Sequence, residues 1–223
     1  MNILVCISNV PDTTSKINFN ENNTSFDSQG VQFIINPNDE FGLTRAIWLQ
    51  QKLGAKVTVV TVGDSTCEAI LRKCLAIGAD QAIRIDLKPQ DGFQVASCLA
   101  SICKKTEYDL VITGRESIDY NGGMVGAILA TQLKIPYLAN CIQLELDGDN
   151  LNLQREIDGG KEILTATFPL VIEPKRGWLK KRSYYTKHAW DYASSSKPLE
   201  VVTLKLMLVI SVQIMKNQQK KDP

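Results

Sequence analysis

One histidine in 223 residues, His188, leaves little room for imidazole chemistry. It stands in a basic, aromatic segment with no partner in view, so a histidine-centred triad or metal site is not expected. His188 reads as a solvated or half-buried side chain. An excess of charge of one sign is lacking too: 25 Lys plus Arg stand against 24 Asp plus Glu, a net charge of +1. That balance argues against a polyanion surface, and so against nucleic acid as the main partner. The six cysteines, at 6, 67, 74, 98, 103 and 141, contain no CxxC pair. Several lie inside apolar runs and read as small buried hydrophobes in a reducing compartment, not as disulfides or zinc ligands. The longest apolar run, residues 201–215, is interrupted by Lys205 and is too short to insert across a bilayer. The opening residues carry neither a basic leader nor a cleavage site, so the expectation is a soluble, cytoplasmic protein. Neither P-loop nor GxGxxG spacing is present.

What the sequence does have is the stretch 108–133, YDLVITGRESIDYNGGMVGAILATQL. A short apolar strand, 110–113, breaks into a loop holding Gly114, Ser117, Asp119, Asn121, Gly122 and Gly123. A helical pattern follows, with Met124, Ala127, Ile128 and Leu133 on one side. A small-residue loop between strand and helix leaves N–H groups unpaired at the first helical turn, where the helix dipole is positive. An anion, such as a nucleotide phosphate, would sit there. The same residues also suit an ordinary βα turn, and the spacing alone does not decide between the two.

Apolar runs at 3–7, 57–62, 82–85 and 110–113 read as strands covered on both faces. Helices are expected over 36–53, with Phe41, Ala46, Leu49 and Leu53 inward and Gly54 as the stop, and over 67–77, with Asp64 or Ser65 as cap and Gly78 as the stop. A further one is expected over 92–105. Residues 17–35 suggest a short hairpin, 142–146 and 151–155 a second one, and 164–172 a single apolar strand. The fold class is therefore α/β: a doubly wound, mostly parallel, Rossmann-like sheet with a β-hairpin appendage. The domain division expected is a nucleotide-binding domain over 1–172, including the hairpin region at about 142–172, followed by a distinct segment over 173–223. Ligands of such sheets bind beyond the carboxyl ends of the strands. The loop after Ile7, the turn at Asn36-Pro37, Gly63-Asp64 and the loop 114–123 all meet there.

Asp12, Asp39, Asp64 and Asp119 fall at strand ends, where a carboxylate pair for acid–base work competes with the commoner role of capping turns. Arg115 suits an anion held bidentately, or a surface ion pair. No nucleophile stands beside a base, so a nucleotide-binding module is favoured over a self-contained catalyst such as an adenylating enzyme. A stand-alone nucleotide-binding stress or sensor protein on the same fold is the alternative of another class.

The segments VCISNVPDTT (5–14), INPNDE (35–40), CLAIGADQAIRI (74–85), DLVITGRESIDYNGGMVG (109–126) and REIDGG (155–160) together resemble the beta subunit of electron transfer flavoproteins. The resemblance runs from Met1 to about Ile172. It implies a heterodimer with an alpha subunit that carries FAD, taking electrons from flavin dehydrogenases such as those of fatty acid oxidation and passing them to a quinone reductase. In that arrangement the beta subunit is an electron carrier subunit without bond chemistry of its own, and holds a structural AMP. In electron-bifurcating relatives a second FAD takes its place, and the resemblance to the non-bifurcating type at residues 120–123 favours AMP. Carried over by position, Cys6, Asn36, Val62 and Gly63 would surround the adenine and ribose. Ser117, Asp119, Asn121, Gly122, Gly123, Met124, Val125 and Gly126 would cradle the phosphate. Asp12 and Thr13 would approach the flavin of the alpha subunit, with Thr13 where some relatives place a stacking Tyr.

Beyond Ile172 the resemblance fails until Lys-Pro-Leu-Glu-Val at 197–201. Relatives carry there a segment similar to Lys-Gly-Leu-Ala-Glu-Glu, then Ile-Pro-Asn-Met-Arg-Gly-Ile-Met. Residues 185–192 back-translate so that a neighbouring frame spells the second of these, and residues 176–182 so that another spells the first. The expectation is that residues about 174–196, and again 203–223, are read out of frame. In the family this segment docks partner dehydrogenases. With Tyr184, Tyr185 and Lys187 in its place, docking is expected to be impaired, and the arm that embraces the alpha subunit is replaced as well.

Overall fold

The computed structural model describes residues 1–148, 150–175 and 196–204. In chain order the strands are β1 (Asn2–Cys6), β2 (Asn9–Pro11), β3 (Asn18–Phe19), β4 (Phe26–Asp27), β5 (Phe33–Ile35), β6 (Lys56–Val62), β7 (Gln81–Ile85), β8 (Leu110–Ile112), β9 (Tyr137–Asp147), β10 (Asn150–Ile157), β11 (Gly160–Ala166), β12 (Leu170–Pro174) and β13 (Leu199–Val202). The helices are α1 (Pro37–Leu53), α2 (Glu68–Ile77), α3 (Gly92–Cys103) and α4 (Val125–Leu133).

Among the described residues, nine strands form one sheet in the order β11-β10-β9-β12-β8-β1-β6-β7-β13. From β12 to β13 every pairing is parallel. The central strands are predominantly apolar because helices cover both faces. Alternate residues of β1 divide between two cores: Ile3 and Val5 pack with Leu43 and Leu49 of α1 and Leu71 and Leu75 of α2. Leu4 and Cys6 pack on the other face with Ala96 and Leu99 of α3 and Leu129 and Ala130 of α4.

Helices α1 and α2 carry the chain from β1 to β6 and on to β7. Helix α3 then returns it across β1 to β8, so the winding reverses between β1 and β8. At such a reversal the loops leaving the two strands diverge and a crevice opens at their carboxyl ends.

The doubly wound sheet follows the sequence reading, and the hairpin of β9 and β10 joins it edge-on through β9 and β12. Asp149 lies outside the described residues. Residues 164–172 are not one strand: β11 pairs antiparallel with β10, and after the break at 167–169 β12 inserts between β9 and β8. Pro169, which has no N–H to give to a ladder, sits in that break. The 17–35 region forms the ribbon β3–β4, whereas β5 pairs back onto β2. Leu53 is 47% exposed at the last turn of α1 and does not face inward as expected; Met124, ahead of α4, is 51% exposed. The inward residues of α4 are Gly126, Leu129 and Ala130. Within the segment set apart at 173–223, residues Leu199–Val202 extend the sheet beside β7. Residues 176–195 and 205–223, with His188, Tyr184, Tyr185 and Lys187, lie outside the described residues.

Candidate functional site

The crevice between β1 and β8 is held by hydrogen bonds that run between its loops. After β1, the Ser8 N–H donates to Asp39 Oδ2 at 2.6 Å, and the side chain of Asn9 hydrogen-bonds Cys67. Asn36, at the N-cap of α1, does not cap its own helix. Its Nδ2 donates instead to Asp39 Oδ1 at 3.0 Å and to the carbonyl of Glu116 at 2.8 Å, a carbonyl that also accepts from Asn38 Nδ2 at 2.9 Å. The start of α1 and the loop after β8 are thereby clamped together across the crevice. Gly114 makes this possible, since a Cβ there would overlap the Asp39 carboxylate.

Asp39 is buried, and desolvation pushes its carboxyl up to about 7 despite the hydrogen bonds from Ser8 and Asn36; Asp119 nearby pushes in the same upward direction. Asp12 and Asp64 spend their carboxylates on their own turns, accepting from Thr14 and Thr66 respectively, which holds both below the usual carboxylate range. For these two the capping role is the one observed. Arg115 pairs with its neighbour Glu116.

The loop from Gly114 to Met124 is tightened by Asn121 N–H donating to the Ser117 carbonyl at 2.8 Å and Ser117 N–H donating to the Gly122 carbonyl at 3.3 Å. Asn121 adopts a left-handed φ of 51°, which an Asn tolerates better than most residues. Residues 119–124 are exposed. Helix α3 begins under a side-chain cap, Asp91 accepting from Gln94 N–H, but α4, with Met124 at its N-cap position, has none. The first-turn amides of α4 therefore lack a side-chain acceptor at the end of the helix where the dipole favours negative charge.

Beneath this turn lies Gly126. A Cβ on it would come within 2.6 Å of Thr113 Oγ1, 2.8 Å of Glu173 Oε1 and 3.1 Å of the Tyr137 ring. Thr113 and Glu173 are 2% and 3% exposed, and neither of these oxygens has a hydrogen-bond partner. Burial raises the Glu173 carboxyl to about 7, with a hydrogen bond from Tyr137 and the charge of Arg115 pulling the other way. Tyr137 is pushed up in turn by burial and by Glu173.

On the far side of β1, Val62 ends β6 and Gly63 follows it. Gly63 N–H donates to the Ile85 carbonyl at 3.0 Å, and its own carbonyl accepts from Arg84 Nη1 at 3.0 Å. The Cys67 sulfur fills the place a Gly63 side chain would need. Cys6 ends β1 in the core, and burial pushes its thiol up, so it is an apolar group and not a nucleophile.

Cys6, Asn36, Val62 and Gly63 thus lie at the carboxyl edge of the sheet, as does the run Ser117, Asp119, Asn121, Gly122, Gly123, Met124, Val125 and Gly126. Asp12 and Thr13 follow β2, on the two-stranded ribbon with β5 and not on the large sheet. The sequence reading missed the burial of Asp39, and it missed Thr113 and Glu173 altogether. An acidic residue closing the apolar run LVIEP was the one signal for Glu173. Among the described residues no cluster of His, Cys, Asp or Glu is arranged to hold a metal, and no helix is long and apolar enough to cross a membrane. The uncapped amides and the exposed glycine loop at the start of α4 form a donor set of the kind that accepts an anion.

A sequence model of the Electron transfer flavoprotein domain matches residues 24–207. The chain is 36% identical over 175 residues to the electron transfer flavoprotein subunit beta of Thermoanaerobacterium thermosaccharolyticum, covering 77% of this chain and 67% of that one. It is 34% identical over 208 residues to the subunit beta of Bacillus subtilis, covering 92% and 79% respectively. To the human subunit beta it is 33% identical over 178 residues, covering 77% and 70%. The chain belongs to the electron transfer flavoprotein family, in its beta-subunit branch.

Proposed function

We propose that this chain binds AMP in the β1/β8 crevice and supports an alpha subunit that holds the FAD, the pair shuttling electrons from flavin dehydrogenases to a quinone reductase in the cytoplasm. The observation that carries the nucleotide half is the start of α4: a first turn without a side-chain cap, fronted by an exposed glycine loop clamped to Asn36. The phosphate would be held by the amides of Val125 and Gly126 and by the loop Ser117, Asp119, Asn121, Gly122, Gly123 and Met124. Cys6, Asn36, Val62 and Gly63 would line the nucleoside. The bound AMP supplies a structural plug and no redox chemistry; electron transfer runs between flavins, and the protein's part is positioning and electrostatics. Asp12 and Thr13 are proposed to approach the partner's flavin.

Residues 1–172 are proposed as the nucleotide-binding unit. The segment from about 174 to 196 and the tail over 203–223 are proposed to be read out of frame, with dehydrogenase docking impaired in consequence. Sequencing the underlying gene tests this: if no frame encodes the family segment, the idea fails.

The deciding experiment for the function is co-purification of the full chain with its alpha partner, followed by mass identification of what each subunit releases. AMP from this chain and FAD from the partner is the expected result. A flavin released from this chain alone would favour the bifurcating type, and a chain that pairs with no flavin-bearing subunit would favour a stand-alone nucleotide-binding protein.

A further inference from the structure

We propose that Glu173 and Thr113 form a proton-controlled floor beneath the anion site at the start of α4, so that a nucleotide phosphate binds best when the Glu173 carboxyl is protonated. This deepens the nucleotide reading above and rests on it.

The geometry comes from two adjacent strands. Ile112 of β8 is in register with Ile172 of β12, and Thr113 N–H donates to the Ile172 carbonyl at 3.0 Å. Thr113 and Glu173 are the next residues on each chain, side by side at the carboxyl end of the sheet. Both side chains come up under Gly126, in the first turn of α4, where Oγ1 and Oε1 lie 2.6 Å and 2.8 Å from the position of a Cβ. Both oxygens are buried and unpartnered. Two orphaned polar atoms at an uncapped helix start are a cost to the fold unless something satisfies them, and the anion expected at that turn brings acceptor oxygens.

A phosphate offers acceptors only to neighbours that are neutral or cationic. The Thr113 hydroxyl can donate whatever the pH. Glu173 can donate only when protonated; ionised, it places a negative charge beneath the helix start that repels the incoming anion. The titratable and charged groups facing Glu173 are the Tyr137 hydroxyl from β9, which donates to it, and the Arg115 guanidinium from the loop after β8. Helix α4 meets it with Gly126. Burial outweighs those two stabilising partners, which leaves the carboxyl poised near neutral pH. A bound phosphate raises it further, so binding takes up a proton from solvent.

Calorimetric titration of the full-length chain with AMP, and with adenosine as the phosphate-free control, tests this from about pH 6 to about pH 8.5. The wild-type affinity for AMP, after allowance for the phosphate's own ionisation, is expected to fall above pH 7 by up to about tenfold per pH unit. E173Q, which keeps the shape without the titration, is expected to hold its AMP affinity over the same range. T113V should weaken AMP at every pH with the wild-type slope retained, and adenosine should show no Glu173-dependent slope. Should E173Q not fold, proton uptake measured on the wild type in buffers of different ionisation heat gives the same answer: uptake on AMP but not adenosine supports the floor, and none overturns it. AMP binding with one slope in wild type and E173Q overturns the proposal and leaves the nucleotide reading standing. A wild-type chain that binds neither AMP nor adenosine at any pH overturns both.

Discussion

The side-chain nitrogen of Asn36 lies 2.8 Å from the carbonyl oxygen of Glu116, although 80 residues separate them. The same nitrogen reaches Asp39, so one amide group ties the start of α1 to the loop ahead of α4. N36A would leave the buried Asp39 carboxylate short of a donor and release one side of the loop. The expected cost is about 2 kcal/mol of folding stability, read from urea denaturation, together with loss of the co-purifying nucleotide. A variant with wild-type stability and full nucleotide content would show that the clamp is incidental.

Gly126 has no space for a side chain, because Thr113, Glu173 and the Tyr137 ring already occupy it. G126A should therefore push α4 away from the sheet and cost about 1–3 kcal/mol, with AMP content reduced more than stability. Gly122 provides the contrast, since nothing lies within 4 Å of a Cβ there. G122A should leave the melting temperature close to wild type.

Two buried carboxyls set the pH dependence of the fold. Asp39 is raised from 3.8 to about 7 and Glu173 from 4.5 to about 7. Between those values the folded chain binds more protons than the unfolded one. Their contribution is complete below the unfolded values and is lost as pH rises through about 7. The protein without nucleotide should melt higher at about pH 5 than at about pH 8, and E173Q should flatten the slope. A melting temperature that rises steadily over this range would contradict the assignment.

Lys197 seats the last described strand. Its Nζ donates to the carbonyls of Leu75, Gly78 and Ala79 at 3.3, 3.3 and 2.7 Å, while Arg72 Nη1 donates to the Lys197 carbonyl at 2.9 Å. An ammonium at the carboxyl end of α2 also meets the negative end of that helix. K197M keeps the stem but not the charge. It should cost about 1–2 kcal/mol, and hydrogen exchange should quicken selectively in β13. The fit of residues 197–202 to this seat is what a segment read in its proper frame would show, and intact exchange protection of β13 in K197M would remove that argument.

Much of the fold was legible in local chemistry. Gly54 and Gly78 stop α1 and α2 at the residues expected, and Asp64 caps the turn ahead of α2. The apolar runs at 3–7 and 57–62 became the doubly covered strands β1 and β6, because continuous hydrophobicity has few other uses in a chain this size. The course of β11 and β12 was not legible. Both halves of 164–172 are apolar, and which neighbour each pairs with depends on the rest of the sheet.

The sequence by itself determined the α/β alternation, the family and the glycine loop before α4, since propensity, periodicity and motif are carried by residues close together in the chain. Only the tertiary structure decided that Asn36 would serve a distant loop instead of its own helix, and that Asp39 and Glu173 would lose their water. Solvation and pairing belong to neighbours brought from other strands and helices, and an acidic residue in a sequence carries no mark of whether a fold will bury it.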